Sequence, residues 1–138
     1  MPVPIRYDSQ GLDLTKRIQV YKTVDASPSA ATETIIATLT LTGFSDTAVL
    51  NGVILNGWAA YTVGTSGTAV NLRIRQTNVS GTVIAATGAL TKTAASLYAD
   101  DVNGIDTSPV GVYVLTMQVT AGAAASTVSA LLLQATII

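Results

Sequence analysis

Apolar and polar positions alternate along most of this chain, and the alternation is clearest from Gly111 to Ile138. Two segments there, GVYVLTMQVTA and STVSALLLQATII, flank the small-residue stretch Gly122-Ala123-Ala124-Ala125. In the first, Tyr113, Leu115, Met117 and Val119 share one face, while Thr116, Gln118 and Thr120 take much of the other. A period of two marks a strand with one dry side, and the small residues predict the turn that joins it to the next. The second segment has no wet side. Leu131, Leu132 and Leu133 are consecutive, so apolar side chains project from both faces, and Ile137-Ile138 repeat the arrangement. Such a strand needs cover on both sides. One cover is the core of the domain; the other expected here is a neighbouring chain or an extended arm, which makes Leu131 and Leu133 candidate interface residues.

The same periodicity divides the preceding chain. RIQVYKTVD sets Ile18, Val20 and Lys22 against Gln19, Tyr21 and Thr23, and predicts a first strand. Glu33 to Thr42 places Ile35, Ala37, Leu39 and Leu41 on one face and Ile36, Thr38, Thr40 and Thr42 on the other. From Thr47 to Val63 the apolar set is Val49, Val53, Leu55, Ala59, Tyr61 and Val63, interrupted by Asn51-Gly52 and Asn56-Gly57. At about 3.3 Å per residue this run is too long for one strand, so it bends, bulges or splits at one Asn-Gly pair. Because the parity of the apolar set survives across the second pair, a bend is expected there. Thr68 to Thr77 predicts a strand with Val70, Leu72 and Ile74 inward and Asn71, Arg73 and Arg75 outward. With Thr82 to Thr87 and Ala89 to Ala99 the series reaches about eight strands separated by Gly-rich turns, which predicts an all-β sandwich or barrel, eight being the jelly-roll number. β-Branched residues at period two fit strands better than a helical bundle.

Residues 1–33 differ from the rest. They hold eight of the fifteen charged residues, together with Pro2, Pro4 and Pro28 out of four prolines in the chain. Pro2 and Pro4 favour an extended start, and Ile5, Tyr7, Leu12 and Leu14 are isolated apolar pegs of the kind an arm lays across another surface. A free tail is the other reading of this composition. The division expected is an extended N-terminal arm with the first strand over 1–33 and a β-sandwich over 34–138.

Composition then narrows the function. Only 11% of residues are charged, against about a quarter in ordinary globular chains, while 49% are hydrophobic. Thr, Ser, Asn and Gly must therefore supply much of the exterior, and such a surface associates readily because burying a hydroxyl costs far less than burying an ion. A net charge of -1 provides no field for nucleic acid or for an anionic membrane, and neither is expected as a partner. No stretch approaches the length of apolar residues a membrane span requires, and MPVPIRYDSQGLDLTKR lacks the apolar core of a secretory leader.

Chemistry-bearing residues are few. Cysteine and histidine are both absent, which removes disulfides, thiolate nucleophiles, imidazole bases and imidazole metal sites. Outside the arm the carboxylates are Asp46, Asp100, Asp101 and Asp106. A two-carboxylate glycosidase would need an apolar pocket to raise one pKa, and the segment holding three of them offers none, so no enzymatic activity is expected. Asp100, Asp101, Asn103 and Asp106 cluster around Gly104 in what reads as a loop, a set of hard oxygen ligands suited to Ca²⁺. Without the EF-hand spacing or its closing Glu, the favoured reading is a solvated turn, with no metal and no cofactor. Arg73 and Arg75, two apart, share a face; they read as a solvated patch or as a contact for an acidic neighbour such as the Asp100–Asp106 segment of another copy. Trp58 and Tyr61 would make a sugar platform, but their opposite parity keeps them on different faces. Asn78-Val79-Ser80 matches a glycosylation sequon and is expected to be a turn.

The run NLRIRQTNVSGTVIAATGAL, followed by GVYVLTMQVTAGAAASTVSALLLQATII, resembles the tumour-necrosis-factor-like jelly rolls of phage and viral structural proteins, particularly head-decoration and minor capsid proteins. The resemblance covers Thr47 to Ile138 and lies in strand rhythm and small-residue turns; residues 1–33 have no counterpart. It implies a single eight-stranded jelly-roll sandwich and a trimer or other symmetric oligomer at the surface of a virion capsid. The implied partners are copies of the chain itself and a major capsid protein or other shell protein, with the arm reaching a neighbour. The alternative is a receptor- or carbohydrate-binding jelly roll of a tail, fibre or lectin.

Overall fold

The computed structural model describes residues 16–93, 96–120 and 126–138. Nine strands occur among them: β1 Ile18–Tyr21, β2 Thr34–Thr40, β3 Val53–Thr62, β4 Ala69–Gln76, β5 Val83–Ala86, β6 Leu90–Thr91, β7 Leu97–Asp106, β8 Val112–Thr120 and β9 Thr127–Ile137. One sheet has the order β1-β9-β3-β7 and the other β2-β8-β4-β5, with the short β6 also pairing with β4. All pairings are antiparallel. Successive strands cross from one sheet to the other except in the β4–β5–β6 stretch. Setting β6 aside, this interleaving is the strand order of a jelly roll. The chain is thus an all-β sandwich, as its alternation implies.

The core lies between the sheets. From one side it receives Val53, Leu55, Ala59 and Tyr61 of β3 and Leu131, Leu133, Ala135 and Ile137 of β9. From the other come Val70, Leu72 and Ile74 of β4 and Tyr113, Leu115, Met117 and Val119 of β8. Every residue in the β4 and β8 sets was expected on the dry face. Burying each side chain of this size contributes about 1.5–3 kcal/mol, so these four central strands carry most of the stability.

Local irregularities decide details that strict alternation misses. In β2 the pairing with β8 shifts between Ile35 and Ala37, so Ile36 and Ala37 are both buried and Ile35 is only half-buried. The expected parity, with Ile35 inward and Ile36 outward, is corrected by that bulge. In β9 the pairing with β3 shifts between Ala60 and Tyr61, where Ala130 opposes Ala60 and Val128 opposes Tyr61. Ser129 is the extra residue, and Val128 and Leu131 both reach the core.

The break in the long Thr47–Val63 run falls at the first Asn-Gly pair. Thr47–Val49 form a 3-10 turn capped by the Asp46 side chain, Asn51-Gly52 follow, and β3 runs unbroken through Asn56-Gly57. A bend at the second pair was expected. Gly57 instead faces the opposite sheet, where a Cβ would come within 3.1 Å of Leu115 Cδ1 and Val102 Cγ1 and 3.3 Å of Ile74 Cδ1. Glycine stands there because the side chains of the opposite sheet and of the neighbouring strand already fill the space a Cβ would take.

The two lateral margins of the sandwich differ. At the β5–β7 margin Gly104 lies so close that a Cβ would be 2.9 Å from Ala85 Cβ and 3.0 Å from the Ile84 carbonyl. At the β1–β2 margin the sheets part to leave a cleft of about 490 Å³ between Ile18–Tyr21 and Thr38–Thr40. Gln19 ties this margin together. Its Nε2 donates to the Thr42 carbonyl at 2.8 Å and its Oε1 accepts from the Thr42 N–H at 3.0 Å.

Candidate assembly surface

The outward face of the β1-β9-β3-β7 sheet is built by cross-strand register, which sorts its side chains into rows. One row is Ile18, Thr136, Ile54 and Ile105. The next is Val20, Gln134, Asn56 and Asn103, three amides side by side. Then follow Leu132, Trp58 and Asp101, and beyond them Ala130, Ala60 and Ala99. Leu97 closes the face opposite Thr62. Asp101 is the one charged residue among these outward strand positions. Among the described residues nine large apolar side chains are exposed, and five of them, Ile18, Val20, Trp58, Leu97 and Ile105, belong to this face. Ile18, Leu97 and Ile105 are 59%, 69% and 58% exposed. Exposed apolar side chains concentrated on one sheet face in this way mark a candidate interaction surface.

The outer face of the other sheet is organised by charge. Glu33 accepts from Arg73 Nη1 at 2.7 Å, from Arg75 Nε at 2.5 Å and from the Thr116 hydroxyl at 2.8 Å. Gln118 Oε1 accepts a second bond from Arg73 at 2.9 Å, and Gln118 Nε2 donates to the Ala31 carbonyl at 3.3 Å. Burial alone would raise the Glu33 pKa. The hydrogen bonds from Arg75 and Thr116 and the two guanidinium charges outweigh it and hold the carboxyl below its usual range. The hydrogen bond to Glu33 raises Arg75 in turn, against the opposing effect of burial. Arg73 and Arg75 do share a face, and a carboxylate of their own chain, Glu33, engages both.

Leu131 and Leu133 need correction as interface residues. They are 4% and 0% exposed and pack inside this chain's own core. The triplet does project from both faces, but alternation sends Leu132 outward, half-buried beside Trp58. Ile5, Tyr7, Leu12 and Leu14 lie outside the described residues, as does the turn expected at 122–125.

The expected Asp100–Asp106 loop is strand β7, and extension disperses its oxygen ligands. Asp101 and Asn103 point outward, whereas Asp106 is buried and Asp100 half-buried on the other side. Asp100 accepts from the Tyr61 hydroxyl at 2.5 Å and pairs with Lys92 at 3.1 Å, and Lys92 Nζ also sits 4.7 Å over the Tyr98 ring. Asp106 accepts from Tyr113 at 2.7 Å, Gln76 at 2.7 Å and the Ser108 N–H at 2.8 Å. Burial, then the hydrogen bond to a carboxylate, pushes Tyr61 far above the ordinary tyrosine range; Tyr113 is pushed up mainly by burial and by Asp106, against a backbone contact at Val110. These acids therefore anchor tyrosines at the margins of the core. Among the described residues no group of three or more acidic side chains could hold a metal ion. Trp58 and Tyr61 lie on opposite faces, as their parity requires, Trp58 37% exposed and Tyr61 fully buried. Asn78-Val79-Ser80 is a turn in which Asn78 Oδ1 accepts from the Ser80 N–H at 2.9 Å.

Ile18, Val20, Ile54, Leu97 and Ile105 were not recognised as surface residues from the sequence. The signal that would have found Leu97 and Ile105 is the parity of β7, Leu97-Ala99-Asp101-Asn103-Ile105, once the segment is read as a strand instead of a loop. Ile18, Val20 and Ile54 follow only from the pairing of β1, β9 and β3.

The fold places this protein among jelly-roll β-sandwiches. No family model matches the chain, and no curated protein matches it in sequence. Solved structures do resemble it. A chain of the T13 viral particle of infectious bursal disease virus superposes with a TM-score of 0.59 at 10% identity, covering 88% of this chain and 31% of that one. Bacillus endospore appendages, described as disulfide-linked pili, give a TM-score of 0.46 at 19% identity, covering 88% of this chain and 89% of that one. The tobacco streak virus coat protein gives 0.42 at 8%, with 91% and 90% covered. At these identities the likeness is one of fold, and this chain spans about a third of the infectious bursal disease virus chain.

Proposed function

We propose that this chain is a non-enzymatic structural protein of a virion shell, an accessory decoration or minor capsid component that binds copies of itself and a shell neighbour. The observation that carries the reading is the outer face of the β1-β9-β3-β7 sheet, which exposes five large apolar side chains and a single charge, Asp101, on a jelly roll whose fold recurs in a viral particle chain. Self-association as a trimer or other closed symmetric oligomer would cover that face, and residues 1–15, leading into the β1 edge, would add contacts on a neighbour. The test is a comparison of the full chain with one lacking residues 1–15. Lost or weakened assembly with unchanged folding supports the arm; a full chain that neither self-associates nor binds shells contradicts the function.

A glycan-binding role is favoured by one observation, the exposed Trp58 ring beside Asp101 and one row from Asn56 and Asn103. Retained oligomers combined with saturable sugar binding would support it.

A further inference from the structure

We infer that the outer face of the β1-β9-β3-β7 sheet pairs with the same face of a second copy about a two-fold axis running along the strands between β9 and β3. This deepens the self-association reading above and rests on it. Three features of the face select a second copy as its occupant.

The first is pattern. Rotation about such an axis keeps each cross-strand row level with itself while laying β1 on β7 and β9 on β3. Ile18 of one copy then meets Ile105 of the other, and Leu132 meets Trp58. Gln134 meets Asn56, and amides, being both donor and acceptor, satisfy one another across a two-fold. Ile18–Ile105, Leu132–Trp58 and Gln134–Asn56 are contacts of like with like, while Val20 meets Asn103 and Thr136 meets Ile54 as mixed contacts.

The second is charge. Asp101 is the one charged residue among the outward strand positions. At the opposite edge of the sheet the exposed Lys22, on the parity of Ile18 and Val20, comes directly after Tyr21, the last paired residue of β1, which pairs with Leu133. Extending that register by one residue would bring Lys22 level with Leu132, Trp58 and Asp101. The rotation sets Lys22 of each copy against Asp101 of the other, two opposite-sign contacts at the rim of the interface.

The third is size. β1, β9, β3 and β7 are 4, 11, 10 and 10 residues long. At about 3.3 Å per residue and about 4.8 Å between strands they present about 550 Å², so two faces would bury about 1,100 Å², just above the roughly 1,000 Å² a biological interface needs. A two-fold along the strands sets the mean strand directions of the two copies parallel, within the span of about 30° over which aligned sheets pack.

The experiment is sedimentation of the purified full chain over a concentration series, with Trp58→Lys, Lys22→Asp, Asp101→Lys and the Lys22→Asp/Asp101→Lys double variant, each checked for unchanged circular dichroism. The wild type is expected to form dimers or larger assemblies built from them. Trp58→Lys should weaken association at least about thirty-fold, as loss of a central aromatic anchor does. Each single charge reversal should weaken it about ten-fold, and the double variant should return to within about three-fold of wild type. If Trp58→Lys fails to fold, the charge-reversal set decides alone. Assemblies insensitive to these changes, or single reversals without rescue in the double, overturn the pairing and leave self-association standing. A wild type that stays a single chain at every concentration overturns both. Unchanged assembly with loss of sugar binding in Trp58→Lys overturns the pairing in favour of a glycan site.

Discussion

Trp58 and Leu132 are cross-strand partners on the outward face of β3 and β9, while Leu131 and Leu133, on either side of Leu132, point into the core. One strand thus serves two surfaces in alternate residues. Leu131 and Leu133 hold the fold, and Leu132 belongs to the exterior patch that the assembly reading requires.

That division sets an expectation for stability. Leu133→Ala should cost about 2–5 kcal/mol, the range for a fully buried leucine, and Leu131→Ala a similar amount. Leu132→Ser should cost less than about 1 kcal/mol in the folding of the single chain. Urea titration of the three variants at low concentration, where association contributes nothing, measures the difference.

Gly57 yields a second expectation. A Cβ at Gly57 would already press on Leu115, Val102 and Ile74, so the larger Gly57→Val should destabilise by about 1–3 kcal/mol through overpacking. A glycine serving only as a bend at Asn56-Gly57 would tolerate the change if its backbone angles were ordinary, so thermal melting of this variant separates the two roles.

Glu33 gives a pH dependence whose sign follows from its lowered pKa. The unfolded chain takes up the proton first as pH falls, so stability supplied by the Glu33–Arg73–Arg75 cluster is full above the ordinary value of 4.5 and is lost as pH drops through the folded-state value. Denaturation midpoints should therefore fall on acidification below about pH 4.5. Glu33→Gln should lower stability at neutral pH by about 1–3 kcal/mol, since two guanidinium groups lose their carboxylate, and should flatten the acid slope.

At alkaline pH the tyrosines should separate. Tyr61 and Tyr113 are raised by burial and by their carboxylate partners, whereas Tyr98 is lowered by its hydrogen bonds with Thr93. A raised tyrosine supplies stability that is complete below the ordinary value of 10.0 and lost as pH climbs toward the folded-state value. Tyrosinate absorbance is expected to rise first for Tyr98, while Tyr61 and Tyr113 ionise only as the fold opens. Tyr61→Phe and Tyr113→Phe should remove amplitude from that late phase alone.

The fold was legible because each central strand repeats its apolar residues at period two, as Val70-Leu72-Ile74 and Tyr113-Leu115-Met117-Val119 do. Strand pairing was not. That β9 lies between β1 and β3, and that Glu33 reaches across to Arg73 and Arg75, are long-range facts with no local sequence signal. The surface was misjudged for two physical reasons. Leu131-Leu132-Leu133 announces two apolar faces but not which parity faces the core, since Ser129 shifts the register one residue earlier. The acidic run Asp100-Asp101-Val102-Asn103-Gly104 has the composition of a turn, and tertiary pairing with β3 overrides that propensity and makes it a strand. Once it is a strand, Leu97 and Ile105 join Trp58 on one face and the calcium arrangement dissolves.

Trp58 is the single tryptophan of the chain and sits on the face in question, so its own emission reports on what covers that face. The most direct measurement is tryptophan fluorescence and its quenching by acrylamide across a dilution series from assembled to dilute protein. Covering of the face predicts blue-shifted, quencher-protected emission at high concentration that turns red and accessible on dilution, in step with the fall in mass. Emission that stays red and fully quenchable while the protein is assembled would contradict it.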